Sequence, residues 1–324
     1  MKFFRKGKNT NYVLLDKHAF FVPGLGGTFA LLGWFGLGMA ISLTFGVFIG
    51  LLMQLLGIGL DHVNPNEISD IGVEYLQLIL YPIMFIPVYF WASRKSEQAY
   101  FRGQDGYLLD SSNFGKFNYW IVAAICAVGT LGLAFVMDGL SGLILPDMSS
   151  EMDNALRNLV EGDFIICFLS VSVLAPILEE WFVRGLILRG LLNAKRKSGG
   201  RLMNPWWAIT ISAGIFALIH MNIWQAFPAF TLGFVFGIIY YKTGSLKLTM
   251  LMHFVNNTFA LILARIDSLK DIDAWWEVID PTVYIALIGV ATLIVSGLVV
   301  FFLRLPSAGC DPAPATDYEG TLQL

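Results

Sequence analysis

Eight apolar runs separated by short polar loops constrain this chain more than any other feature. They cover residues 28–58, 73–93, 118–146, 163–189, 205–221, 226–241, 248–265 and 282–303. Each is as long, or nearly as long, as the roughly 20 residues with which an α-helix crosses a bilayer. A water-soluble domain does not need 56% hydrophobic and only 14% charged residues arranged in such blocks. In hydrocarbon every backbone N–H and C=O must find a partner within the protein, which leaves helices or a closed barrel. The runs lack the alternating pattern, about 10 residues long, of a membrane barrel strand. The expected fold is therefore all-α, a polytopic transmembrane helical bundle of about eight helices.

Lysine and arginine mark which loops stay in the cytoplasm. Lys2, Arg5, Lys6, Lys8 and Lys17 precede the first run, and Arg94, Lys95, Arg102 and Lys116 follow the second. Arg189, Lys195, Arg196, Lys197 and Arg201 follow the fourth, Lys242 and Lys247 the sixth, and Arg304 the eighth. The intervening loops hold only Arg157, Arg265 and Lys270 among acids such as Asp61, Glu67, Asp70, Glu151, Asp153, Asp267, Asp271 and Asp273. This alternation predicts an integral, multi-pass membrane protein with both termini cytoplasmic. A net charge of -3 and the absence of a basic aromatic surface argue against a nucleic-acid partner. Cys126 and Cys167 fall inside predicted helices and Cys310 in the tail, so neither a disulfide framework nor a Cys-x-x-Cys pair is expected. The basic N-terminus leads into an apolar run without a small-residue cleavage site, the pattern of a retained helix rather than a signal peptide. The chain divides into a cytoplasmic segment (1–27), N-terminal transmembrane helices and a loop (28–117), a membrane core (118–265), an outer loop with the last helix (266–304) and a disordered tail (305–324).

Ionisable groups inside a membrane are expensive and point to function. The fourth run contains Ala175-Pro176-Ile177-Leu178-Glu179-Glu180-Trp181-Phe182-Val183-Arg184, three charges at about 2.5–3.5 kcal/mol each on the insertion scale. Glu180 and Arg184 are four apart, acid first, and can pair on one helix face. Glu179, rotated by about 100°, is left over and can face a wet cavity, where a carboxylate can take a proton from water. Pro176 predicts a kink and a carbonyl without its helical partner. The bland alternative is a structural ion-pair clamp near a helix end. Of the four histidines, His18 and His62 lie in the N-terminal segment and an outer loop. His220 closes Phe216-Ala217-Leu218-Ile219-His220, and His253 opens His253-Phe254-Val255-Asn256-Asn257. Both motifs place their paired residues one helical turn apart on the same face.

Glu-Glu-x-x-x-Arg, Phe-x-x-x-His and His-x-x-x-Asn, in this order on separate helices, resemble the signature of the CAAX prenyl protease and bacteriocin-processing family. The resemblance covers roughly residues 120–265. It implies a CAAX-type intramembrane protease, a peptide hydrolase acting on membrane-associated peptides or proteins, prenylated or not, with membrane lipid as its surroundings. By resemblance, Glu179 and His220 activate a water, His253 and Asn257 stabilise the oxyanion, and Glu180 and Arg184 hold the frame. No organic cofactor is implied. Zn²⁺ on Glu179, His220 and His253 is conceivable in principle. A metal-free mechanism is favoured, because no His-Glu-x-x-His is present and Asn257 is a poor zinc ligand but a good hydrogen-bond donor.

Two other classes stay open. Gly139-Leu140-Ser141-Gly142 has the form of a rhomboid-like serine site, though a glycine-rich helix end explains it equally well and that reading leaves Glu179 and Arg184 idle. A non-catalytic binding or immunity factor, or an ion-coupled carrier, would use the same buried charges. The discriminator is whether Glu179, His220 and His253 converge. One difficulty is visible in advance: a helix starting near residue 204 puts His220 about 24 Å along its axis, whereas His253 lies only a few residues inside its run. Tilt, a kink at Pro176, a re-entrant segment or a different helix start would each reconcile the two depths.

Overall fold

A computed structural model of the chain describes residues 17–56, 73–157, 160, 162–266 and 275–307. The expectations for Lys2 to Lys8, Asp61, His62, Glu67, Asp70, Asp267, Lys270, Asp271, Asp273, Cys310 and the tail beyond residue 307 lie outside these residues. The described chain forms helices α1 (Leu25–Leu55), α2 (Val73–Ile83), α3 (Ile86–Phe101), α4 (Tyr119–Ile144), a short α5 (Ser150–Arg157) and α6 (Phe164–Asn193). Helices α7 (Pro205–Leu218), α8 (Ile223–Thr243), α9 (Leu246–Leu263) and α10 (Pro281–Arg304) follow. Among the described residues there is no strand beyond a single antiparallel bridge between Lys195 and Arg201. The fold is a polytopic helical bundle, as expected.

Local sequence explains where the helices begin and end. Asn118, Asp163, Asn222, Ser245 and Asp280 each accept a hydrogen bond from a backbone N–H of the helix they start, satisfying donors that would otherwise be orphaned. Asn204 does the same for α7 ahead of Pro205, and Gly244, at φ 69°, ends α8 in the left-handed conformation that glycine adopts without strain.

The runs read from the sequence match these helices with three informative departures. Among the described residues, seven spans are long and apolar enough to cross a membrane, α2 and α3 together forming one of them (Tyr75–Phe101). The fifth run is shorter than expected: α7 has 14 residues, about 21 Å of rise. Ile219 and Met221 are apolar, so hydropathy extends the run through a turn in which Met221 takes φ 55°. The second run breaks between Pro82 and Pro87, neither of which can donate a helical N–H, and then continues to Phe101. Arg94 and Lys95, expected in a loop, are therefore exposed residues of α3, opposite a face that buries Val88, Ala92, Ser96 and Ala99. Arg189, also expected in a loop, belongs to α6 and is fully buried.

Helix α6 is central. Its first half packs against α9 and α2, and its second half against α7, which forms an antiparallel hairpin with α8. Helix α4 joins α10, α9 and α8 on the other side, while α1 covers α2 and α3. Gly38 of α1 makes that cover possible, since a Cβ there would lie 1.9 Å from the Met84 carbonyl oxygen at the proline-flanked break. One core cluster gathers Phe35, Phe85, Phe182, Leu186 and Tyr240, and a second gathers Val122, Cys126, Leu133, Phe236, Met252 and Leu298. Exposed residues such as Phe29, Leu43, Ile285 and Leu293 leave α1 and α10 apolar on their outer faces as well, the pattern of helices solvated by lipid.

Candidate active site

The chemistry-bearing part of α6 is not a uniform helix. Phe168–Leu174 and Trp181–Leu188 are wound as π-helix, and Ala175–Glu180 between them is α-helical. Pro176 accounts for the first widening: it has no N–H to donate, and the turn before it takes the wider spacing, with Ala175 N–H bonding to Ser170 O. The kink expected at Pro176 is thus a change of helical register. Glu179 and Glu180 stand at the end of the regular turn, and both are buried.

Glu180 Oε1 accepts 2.7 Å from Arg184 Nη1 and 3.2 Å from His253 Nδ1. Arg184 and Glu180 are both fully inaccessible to solvent, so this is a desolvated pair whose members depend on each other. The guanidinium also donates to the Gly233 carbonyl at 3.1 Å and lies over the rings of Phe216 (4.6 Å) and Phe236 (5.5 Å), a favourable cation–π environment in a dry interior. Gly233 permits this approach: a Cβ there would come within 3.3 Å of the guanidinium and 3.1 Å of Phe216.

The carboxylate of Glu179 points elsewhere. Its Oε1 accepts from the Tyr81 hydroxyl of α2. Its Oε2 lies 3.9 Å from His253 Nε2 and has no hydrogen-bond partner. His253 therefore spends Nδ1–H on Glu180 and presents Nε2 to Glu179. The Asn257 carboxamide, one turn along α9, donates to the Val171 carbonyl at 2.9 Å, within the first π-wound stretch. His220 lies in the turn after α7. Its Nδ1 is 2.8 Å from Phe216 O, a bond in which the ring must donate, leaving Nε2 as the proton-free nitrogen of the neutral form.

Glu179, Glu180, Arg184 and His253 thus meet directly. His220 joins them through Phe216, whose ring stands edge-on to both imidazoles, at 5.2 Å from His220 and 5.5 Å from His253. The mismatch of depths foreseen between the histidines is bridged by this phenyl ring rather than closed by direct contact. Among the described residues no group of three or more His, Cys, Asp or Glu side chains is arranged to hold a metal ion. Glu180 is committed to Arg184 through Oε1. Ser141 of the glycine-rich motif lies inside α4, three residues before its end.

Two residues of this region were not foreseen. Tyr81 lies in the second run, outside the reach of the three motifs. Its only signal is a tyrosine hydroxyl at membrane depth, which must find an acceptor. Arg189 was read as a loop cation. It donates five hydrogen bonds, to the carbonyls of Gly185, His18, Ala19, Phe21 and Tyr107, and so ties the segment before α1 to α6 below the site.

Comparison with known proteins places the similarity on this same part of the chain. Residues 161–259 match the family of type II CAAX prenyl endopeptidases, Rce1-like. The membrane-embedded CAAX protease MroQ of Staphylococcus aureus (strain USA300) is 36% identical over 93 residues, which is 28% of this chain and 36% of that protein. The uncharacterized protein YyaK of Bacillus subtilis (strain 168) is 32% identical over 130 residues, 36% of this chain and 39% of its own. The matches thus span well under half of these relatives, and no solved structure matches. Over the stretch that supplies Glu179, Glu180, Arg184, His220, His253 and Asn257, this chain is similar to the Rce1-like type II CAAX prenyl endopeptidases, the resemblance expected from its three motifs.

Proposed function

We propose that this chain is an intramembrane endopeptidase that hydrolyses peptide bonds of membrane-associated peptides or proteins, lipidated or not, with a water activated by glutamate and histidine. The observation that carries this reading is Glu179, a buried carboxylate whose Oε2 has no hydrogen-bond partner and faces His253 Nε2. The neighbouring Glu180 also keeps an unpartnered Oε2, but its Oε1 is taken by Arg184 and His253 and the guanidinium neutralises it in place. A water on Glu179 Oε2 gives up a proton to the carboxylate as its oxygen adds to the peptide carbonyl carbon. The same proton then passes to the leaving nitrogen as the C–N bond breaks, yielding a carboxylate and an amine.

His220, whose Nδ1 is taken by the Phe216 carbonyl so that Nε2 is the nitrogen left to face outward, helps to orient that water. His253 and Asn257 supply N–H groups to the oxyanion, which such preorganised donors stabilise most where water is excluded. No step runs through a metal. The basic loops and both termini lie on the cytoplasmic side, and residues 118–265 form the catalytic core.

The test is hydrolysis in ¹⁸O-labelled water by purified protein in detergent, on prenylated and plain peptides, with products read by mass spectrometry. The reading predicts one internal cut and one ¹⁸O in the new carboxyl terminus. Absence of any cut peptide with well-folded protein would contradict it.

A further inference from the structure

Among the described residues, the Tyr81 hydroxyl is the one hydrogen-bond donor on Glu179 that comes from outside residues 161–259. Its place is set by backbone rather than by chance. Tyr81 directly precedes Pro82, and the two turns that close the break between α2 and α3 use its carbonyl and that of Pro82, with Met84 N–H on Tyr81 O (3.3 Å) and Phe85 N–H on Pro82 O (3.0 Å). The preceding carbonyl, of Leu80, is held by Ser42 Oγ of α1 at 2.8 Å. The ring packs against Phe85 at 5.6 Å, and Phe85 in turn contacts Phe35 and Phe182. Helix α1, the proline break and the aromatic cluster together aim a phenol at one oxygen of one buried carboxylate.

That oxygen is Oε1, which leaves Oε2 turned to His253. Oε2 has no hydrogen-bond partner, so the phenol on Oε1 is the contact that distinguishes the two oxygens and determines which of them meets water. Resting on the hydrolytic reading above, we infer that Tyr81 is a positioning residue for the base: its O–H fixes the Glu179 carboxylate with Oε2 towards His253, so that the N-terminal helices α1 to α3 complete the active site. During turnover the phenol keeps its proton. The proton taken from water goes to Oε2, while Oε1 continues to accept from Tyr81, so no additional reactant is needed.

The variant that isolates the hydroxyl is Tyr81→Phe, which keeps the ring against Phe85. With a peptide that the wild type cleaves, the expected result is a fall of about tenfold or more in kcat with KM within about twofold of wild type, the pattern of an interaction made for the transition state. Disturbed packing would instead move KM and the melting midpoint together. Equal kcat for Tyr81→Phe and wild type, in a preparation where Glu179→Gln is inactive, would overturn this inference and leave the hydrolytic reading intact. A wild type that cleaves nothing would instead count against the hydrolytic reading.

A second measurement does not need turnover. With 3-fluorotyrosine at position 81, the ¹⁹F resonance is expected to shift when Glu179 is changed to Gln, because the phenol then donates to an amide rather than to a carboxylate. An unmoved resonance would overturn the contact itself, whatever the activity.

Discussion

At the residue scale the account turns on how two adjacent glutamates are divided. Glu180 is neutralised in place by Arg184 at 2.7 Å, whereas Glu179 keeps an oxygen towards His253. Arg184→Met should therefore cost about 3–5 kcal/mol, the penalty for stranding one member of a buried pair, and should show as a lower melting midpoint in detergent. The double variant Glu180→Gln with Arg184→Met should recover part of that loss; a double variant less stable than Arg184→Met alone would argue against the pairing. This division was legible in the sequence, because spacing alone pairs positions 180 and 184 and leaves 179 over. What spacing could not supply was Tyr81, over 90 residues upstream on another helix, or the use of Phe216 as the link between the two histidines.

At the scale of elements, helix ends and breaks decide where the groups fall. Hydropathy marks an apolar residue without saying whether it is helical, which is why the fifth run absorbed the turn at Ile219 to Met221 and why the π-wound stretches of α6 were invisible beforehand. Charge counting failed for a related reason at Arg189: a cation next to a loop can equally be a buried clamp when carbonyls surround it. The segment it clamps carries a pH dependence. His18 is buried against Tyr89 and Trp181, with Nε2 3.0 Å from Ser93 Oγ. Burial, aided by Arg189 and Lys17 and opposed by the Tyr89 carbonyl, pushes its pKa down from 6.5 to about 4.

A histidine whose folded pKa is depressed contributes its full stability above its unfolded pKa. That stability is lost as pH falls from 6.5 towards about 4, by about 3 kcal/mol for the segment if fully titrated. Hydrogen-exchange protection at residues 18–21, taken relative to the intrinsic exchange rate at each pH, should fall between pH 7 and pH 5 in the wild type, and this pH dependence should flatten in His18→Gln. Equal protection at both pH values in the wild type would refute the assignment.

At the scale of the whole molecule, the bundle follows from composition and loop pattern, because in lipid an apolar run has few alternatives to helix. The order of the motifs along the chain locates the site in the region that later proved similar to the Rce1-like endopeptidases. Packing then makes that region depend on helices beyond it: α2 supplies the hydroxyl on Glu179, and α1 buttresses α2. The measurement that tests the central claim most directly is peptide cleavage by purified wild type, Glu179→Gln, His220→Ala and His253→Ala, each with and without a metal chelator. The account predicts a wild-type activity that the chelator leaves unchanged, and a loss in each variant of about 10²–10⁴-fold, the range for removing a general acid–base group. Well-folded variants that cleave as fast as wild type, or an activity abolished by the chelator and restored by added zinc, would contradict it.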